Sequence, residues 1–88
     1  MESGEAVRLL RRHRRMSQQA FATELGISMA ALRNYESGRI PGLKAMLLLW
    51  NNAEEANRPD LCGVFRLYVE SQVGKSGLEL LVKTLVQA

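Results

Sequence analysis

An all-helical fold of five to six short helices is what this sequence predicts, and three observations carry the prediction. Apolar residues recur at three- and four-residue spacing, and no useful length of chain alternates apolar and polar as a strand would. Serine or proline stands before several of these periodic runs, and glycine stands after some of them. The chain has 88 residues, 47% of them hydrophobic but only 6% aromatic, which gives one small domain with a core of Leu, Val, Ala and Met.

The first helix is expected from about Gly4 to Arg14, with Ser3 as N-cap and Glu5 in its first turn. Ala6, Leu9, Leu10 and His13 share one face, with Val7 beside them, and arginines fill the rest. Ser17 caps a second helix that buries Phe21, Ala22 and Leu25. Gly26 stops it, where a left-handed backbone favours a residue without Cβ. Ser28 caps a third helix with Leu32 and Tyr35 inward, and Gly38 ends it. Pro41 suits the start of a fourth helix, whose stripe is Leu43, Met46, Leu47 and Trp50 and whose end falls near Asn51 and Asn52.

Ala53 to Arg58 is expected to be a polar connector. Pro59 and Asp60 then open a fifth helix, with Leu61, Val64, Phe65, Tyr68 and Val69 apolar. Gly63 inside it costs about 1 kcal/mol relative to Ala. Val73 to Lys75 is a turn. Ser76 and Glu79 form a capping box for a last helix with Leu78, Leu81, Val82, Leu85 and Val86 at 3-4 spacing. The division expected is a core over residues 1–52 and a helical extension over 53–88, within a single domain.

Charge is distributed unevenly. Met1 to Lys44 carries eight Lys or Arg against four acids, a net of +4, whereas Ala45 to Ala88 carries four against five, a net of −1. The first half suits a polyanionic partner and the second does not. Arginine dominates the basic set, as recognition of phosphate or guanine prefers. Arg12 and Arg14 are expected on a solvated helix end, and Arg15 divides between phosphate and solvent.

A lone Cys62 rules out an intrachain disulfide and reads as a small buried apolar residue. A single histidine and a single cysteine leave no metal cluster and no catalytic triad, so no enzyme, metal or cofactor is expected. Gly74-Lys75-Ser76 echoes the end of a phosphate loop, but Val69 stands where its first glycine belongs. No secretory leader follows Met1, and the longest apolar run, Ala45 to Trp50, is too short to span a bilayer. A cytoplasmic location without membrane association is the expectation.

The segment from Ser17 to Gly38 holds two short helices around the Gly26 turn. Arg11, Ser17-Gln18, Ala22, Leu25-Gly26-Ile27-Ser28, Leu32, Tyr35-Glu36, Gly38 and Pro41 stand together in register. With them, about Ala6 to Trp50 resembles the helix-turn-helix of the Cro and phage-repressor family (Xre-type regulators). The resemblance implies a lambda-repressor-like bundle whose helix starting at Ser28 enters the DNA major groove. Base contacts would come from Gln18, Met29, Ala30, Arg33 and Asn34, with Asn34 suited to adenine and Arg33 to guanine. Met29 and Ala30 offer apolar contact alone, unlike the more polar first turn common in the family, which shifts weight to backbone contacts and DNA shape. Phosphate contacts would come from Ser17, Gln18, Ser28, Arg39, Lys44 and Arg15. Arg11 and Glu36 match a pair that joins the first helix to the end of the third.

The resemblance therefore implies a transcription regulator that binds double-stranded DNA as a homodimer. The stripe Leu78, Leu81, Val82 and Leu85 has two readings, closing the domain's own core or pairing with a second subunit. The alternative function is an antitoxin or phage-type adaptor whose C-terminal helices hold a partner protein.

Overall fold

The computed structural model describes the backbone of residues 1–87 and the side chains of residues 1–84. The described residues form five helices: α1 (Ser3–His13), α2 (Gln18–Leu25), α3 (Met29–Glu36), α4 (Leu43–Glu55) and α5 (Pro59–Gln87). Helix α4 lies along α5, α1 packs on both α3 and α5, and α2 rests against α3 and α4.

Helix starts and stops follow local chemistry. Ser17 and Ser28 cap α2 and α3, their Oγ atoms accepting from the N–H groups of Ala20 (3.1 Å) and Ala31 (3.0 Å). The first four helices end alike. One or two residues past the end of each, a residue takes a positive φ, and two N–H groups turn back onto the last carbonyls. After α2 the residue is Gly26 (φ 73), with Ile27 N–H bonded to the Ala22 carbonyl at 3.0 Å. After α1 and α4 the same role falls to Arg15 (φ 56) and Asn57 (φ 54). Asparagine tolerates that conformation and arginine does not favour it.

Several boundaries differ from the sequence expectation. Ser3 is the first residue of α1, not its cap; it is buried, and its N–H donates to the Tyr68 hydroxyl at 3.3 Å. Pro41 precedes α4, which starts at Leu43 after Gly42, and its carbonyl accepts from the Gln72 amide at 3.1 Å. Helix α4 continues to Glu55, so the boundary expected after residue 52 falls inside it. Its outer face there is polar but helical, with i,i+4 bonds from Trp50 to Glu54 and from Asn51 to Glu55, each 3.3 Å.

The core gathers Ala6, Val7 and Leu10 of α1, Phe21 and Leu25 of α2, Leu32 of α3, Met46, Leu49 and Ala53 of α4, and Leu61, Phe65, Val69 and Leu78 of α5. The buried stripe of α4 is thus turned from the expected one: Leu43, Leu47 and Trp50 are half-buried. Cys62 is buried, as expected of a small apolar residue. That burial, with the Glu54 carboxylate beside it, pushes the thiol up to about 11, so it stays protonated and unreactive near neutral pH.

The turn expected at Val73 to Lys75 is confined to Gly74 (φ 75, ψ 170), with helix on both sides. Ser76 therefore lies inside the helix, exposed, instead of capping it. Of the final stripe, Leu78 is buried, Leu81 half-buried against the core and Val82 exposed, while Leu85 falls outside the described side chains. No described helix is long and apolar enough to cross a membrane.

Candidate nucleic-acid interface

The α2–α3 pair is built so that one face of α3 stays free. Leu32 and Glu36 point inward, whereas Ala30, Arg33, Asn34 and Ser37, spaced at i, i+3, i+4 and i+7, are all exposed. Met29 differs from its neighbours, being half-buried against the core, so at most part of it faces outward. The first turns of α2 and α3 contain no acid, which leaves the positive ends of both helix dipoles unopposed. The caps Ser17 and Ser28 use an Oγ lone pair toward their own helices, which leaves each hydroxyl hydrogen able to donate. Arg15, Arg39 and Lys44 are exposed.

A network beneath this face sets its geometry. The Arg11 guanidinium grips Glu36 through two bonds, Nε to Oε2 at 2.9 Å and Nη2 to Oε1 at 3.0 Å, and its Nη1 donates to the Met16 carbonyl at 3.1 Å. Glu36 is 5% exposed and Arg11 16%. Planar arginine suits such a two-point grip. Gln18, half-buried at the start of α2, donates to Glu36 at 3.5 Å and accepts from Arg33 Nε at 3.4 Å. Arg8 donates to the Glu36 carbonyl. The first three helices therefore meet at one carboxylate, and Gln18 connects that carboxylate to an outward side chain of α3.

Three residues escaped the sequence reading. Gly4 lies so close to the end of α3 that a Cβ would stand 2.8 Å from the Tyr35 carbonyl oxygen and 3.2 Å from that of Glu36. A glycine in the first turn of an amphipathic helix hints at such an approach, though not at its partner. Arg14 is not simply solvated, because it donates to the Oδ1 of buried Asn52 at 2.8 Å and pairs with Glu24 at 3.3 Å. Asn52 had suggested a helix end and instead fills an inward position. Among the described residues no group of three or more His, Cys, Asp or Glu is placed to hold a metal, and His13 is exposed.

Two capped helices around a left-handed glycine, the second with a free polar face, define a helix-turn-helix DNA-binding fold. Residues 7–49 match the model of the helix-turn-helix family, in its Cro-type, Xre-like form. No curated protein and no solved structure matches the chain significantly. The chain carries a DNA-binding domain of transcription-regulator type.

Proposed function

We propose that this chain is a sequence-specific regulator that docks the helix beginning after Ser28 in the major groove, as a homodimer. The observation that carries this reading is the exposed face of α3, with Arg33 and Asn34 free to reach base edges while Leu32 and Glu36 anchor the helix from behind. Asn34 matches adenine and Arg33 matches guanine. Gln18 sits where it can contact a phosphate or support Arg33. Ser17, Ser28, Arg15, Arg39 and Lys44 collect phosphates, and Ala30, with the outer edge of Met29, offers apolar contact to a thymine methyl. Core residues 1–52 would make the DNA contacts and residues 53–88 would hold the second subunit, since α5 leaves Leu67 and Leu80 about two-thirds exposed.

Selection of bound duplexes from a random pool, followed by titration of the selected site at several salt concentrations, tests the reading. Three cations per subunit give six phosphate contacts per dimer and a slope of log K on log salt of about −5. A flat response would remove the phosphate-dominated mechanism. Asn34→Ala should erase preference at its base pair and keep nonspecific affinity, whereas Arg39→Ala should weaken all duplexes alike. An Asn34→Ala protein with unchanged preference would refute the base assignment.

A further inference from the structure

Residues 59–87 form one helical run broken at a single described residue, Gly74. Its φ of 75 with ψ of 170 is a combination open essentially to glycine alone. A second glycine makes the same bend. A Cβ at Gly77 would stand 3.0 Å from the Cβ of Val73 and 3.3 Å from its Cγ2, whereas residues four apart on an unbroken helix keep their Cβ atoms about 5–6 Å apart. The chain folds back at Gly74 tightly enough that a side chain at residue 77 would crowd Val73. Beyond the bend, Leu78 packs into the core and Leu81 packs half-buried against it.

We infer that residues 75–87 exchange between two copies of this chain. Gly74 takes helical dihedrals, α5 straightens into one rod about 43 Å long, and Leu78 and Leu81 of each copy occupy in the other the seat they leave in their own. The occupant is a second copy because that seat is already shaped to these two leucines, and one residue's change of dihedrals releases them. Leu67 adds an independent argument. It is 66% exposed in the bent chain, and it precedes Leu78 and Leu81 by 11 and 14 residues, close to three and four whole turns. In the rod the three leucines share one face, so the exposed leucine gains a place in a continuous apolar stripe. The inference rests on the homodimer reading and is independent of how the chain reads DNA.

The test places spin labels on Arg66→Cys and Val82→Cys in a Cys62→Ala background, with labelled chain diluted into unlabelled chain so that intrachain distances alone are read. Both positions line one cleft between the limbs of the bent α5; on a straight helix they stand about 24 Å apart. In the full chain carrying Gly74→Ala and Gly77→Ala, the expected result is a dimeric mass by light scattering together with the long distance. A folded variant that keeps the short distance, or a monomer with the long one, overturns the exchange. A dimer with the short distance keeps the pairing and sinks the exchange. Should the double variant fail to fold, the otherwise unaltered labelled chain refolded at millimolar concentration decides. A long-distance population of dimeric mass supports the exchange, and its absence overturns it.

Discussion

Replacing Arg11 by Met should cost the fold about 3 kcal/mol, and the structure supplies the reasons for that size. Glu36 is 5% exposed, and without Arg11 its carboxylate keeps one weak side-chain bond, from Gln18 at 3.5 Å. Breaking a buried pair from one side costs about 3–5 kcal/mol. Arg11 itself is 16% exposed, so water reaches the gap and the low end applies. The bond to the Met16 carbonyl is lost as well. A domain of this size holds roughly 4–13 kcal/mol in all, and each kcal/mol is worth roughly 4–8 °C of Tm, so the midpoint should fall by about 12–24 °C. The companion is Arg11→Met with Glu36→Leu, which removes both charges and should return to within about 1.5 kcal/mol of the parent. Urea unfolding at pH 7, followed by helical circular dichroism in low and high salt, measures all four corners of the cycle. A loss under 1 kcal/mol for the single variant would show the pair to be worth no more than a surface contact. A double variant as unstable as the two singles summed would show that the residues do not act as a pair.

Gly4→Ala should destabilise by about 2 kcal/mol, because its Cβ meets backbone oxygen at 2.8 Å and α3 must shift; a neutral result in thermal unfolding would contradict that close approach. Gly63→Ala should stabilise by about 1 kcal/mol, since nothing lies within 4 Å of a Cβ inside that helix; a loss of stability would mean the position is packed or bound. Asp60 is held down to about 2 by its bond with Arg58, against an ordinary 3.8. Its folded value is the depressed one, so its contribution is present above about pH 3.8 and is lost as pH falls toward 2. The stability difference between the parent and Asp60→Asn should therefore shrink across that window in acid titration, and a difference that grows there would reverse the assignment.

What the sequence disclosed and what it withheld divide along the range of the forces involved. Ser17, Ser28 and Gly26 act on backbone groups within a turn of themselves, so α2, its stop and the start of α3 were legible. Arg15 in the left-handed region carries no local signal at all, and Asn57 carries a faint one. The phase of α4 was illegible for another reason. Leu47, Leu48, Leu49 and Trp50 are consecutive, so they point over about 300° of the helix circumference and leave periodicity without a unique answer. The packing chose Met46, Leu49 and Ala53. Gly4 against the Tyr35 carbonyl, Arg14 on Asn52 and Gln72 on the Pro41 carbonyl join residues 31 to 38 positions apart, and no local pattern encodes such pairs. The candidate interface residues could be named in advance only through the family resemblance, which assigns them by position. The Gln18 bridge from Arg33 to Glu36 was not legible, because it needs three side chains from two helices at once.

That bridge bears on how a reading face with so few polar residues could discriminate at all. On the proposed reading, Arg33 and Asn34 are the two side chains per subunit able to make paired hydrogen bonds to bases. Each such pair is worth about 1–3 kcal/mol of discrimination, so one subunit commands roughly 2–6 kcal/mol and a symmetric dimer twice that. Specific sites are typically preferred over nonspecific DNA by about 4–10 kcal/mol, a range that two subunits reach comfortably and one reaches only at its upper end. Holding Arg33 against Gln18 before binding reduces the ordering cost of a long side chain, which favours that upper end. Gln18→Ala should then leave phosphate affinity and its salt slope nearly intact while preference at the Arg33 base pair drops several-fold. Equal losses on selected and random duplexes would place Gln18 among the phosphate contacts instead.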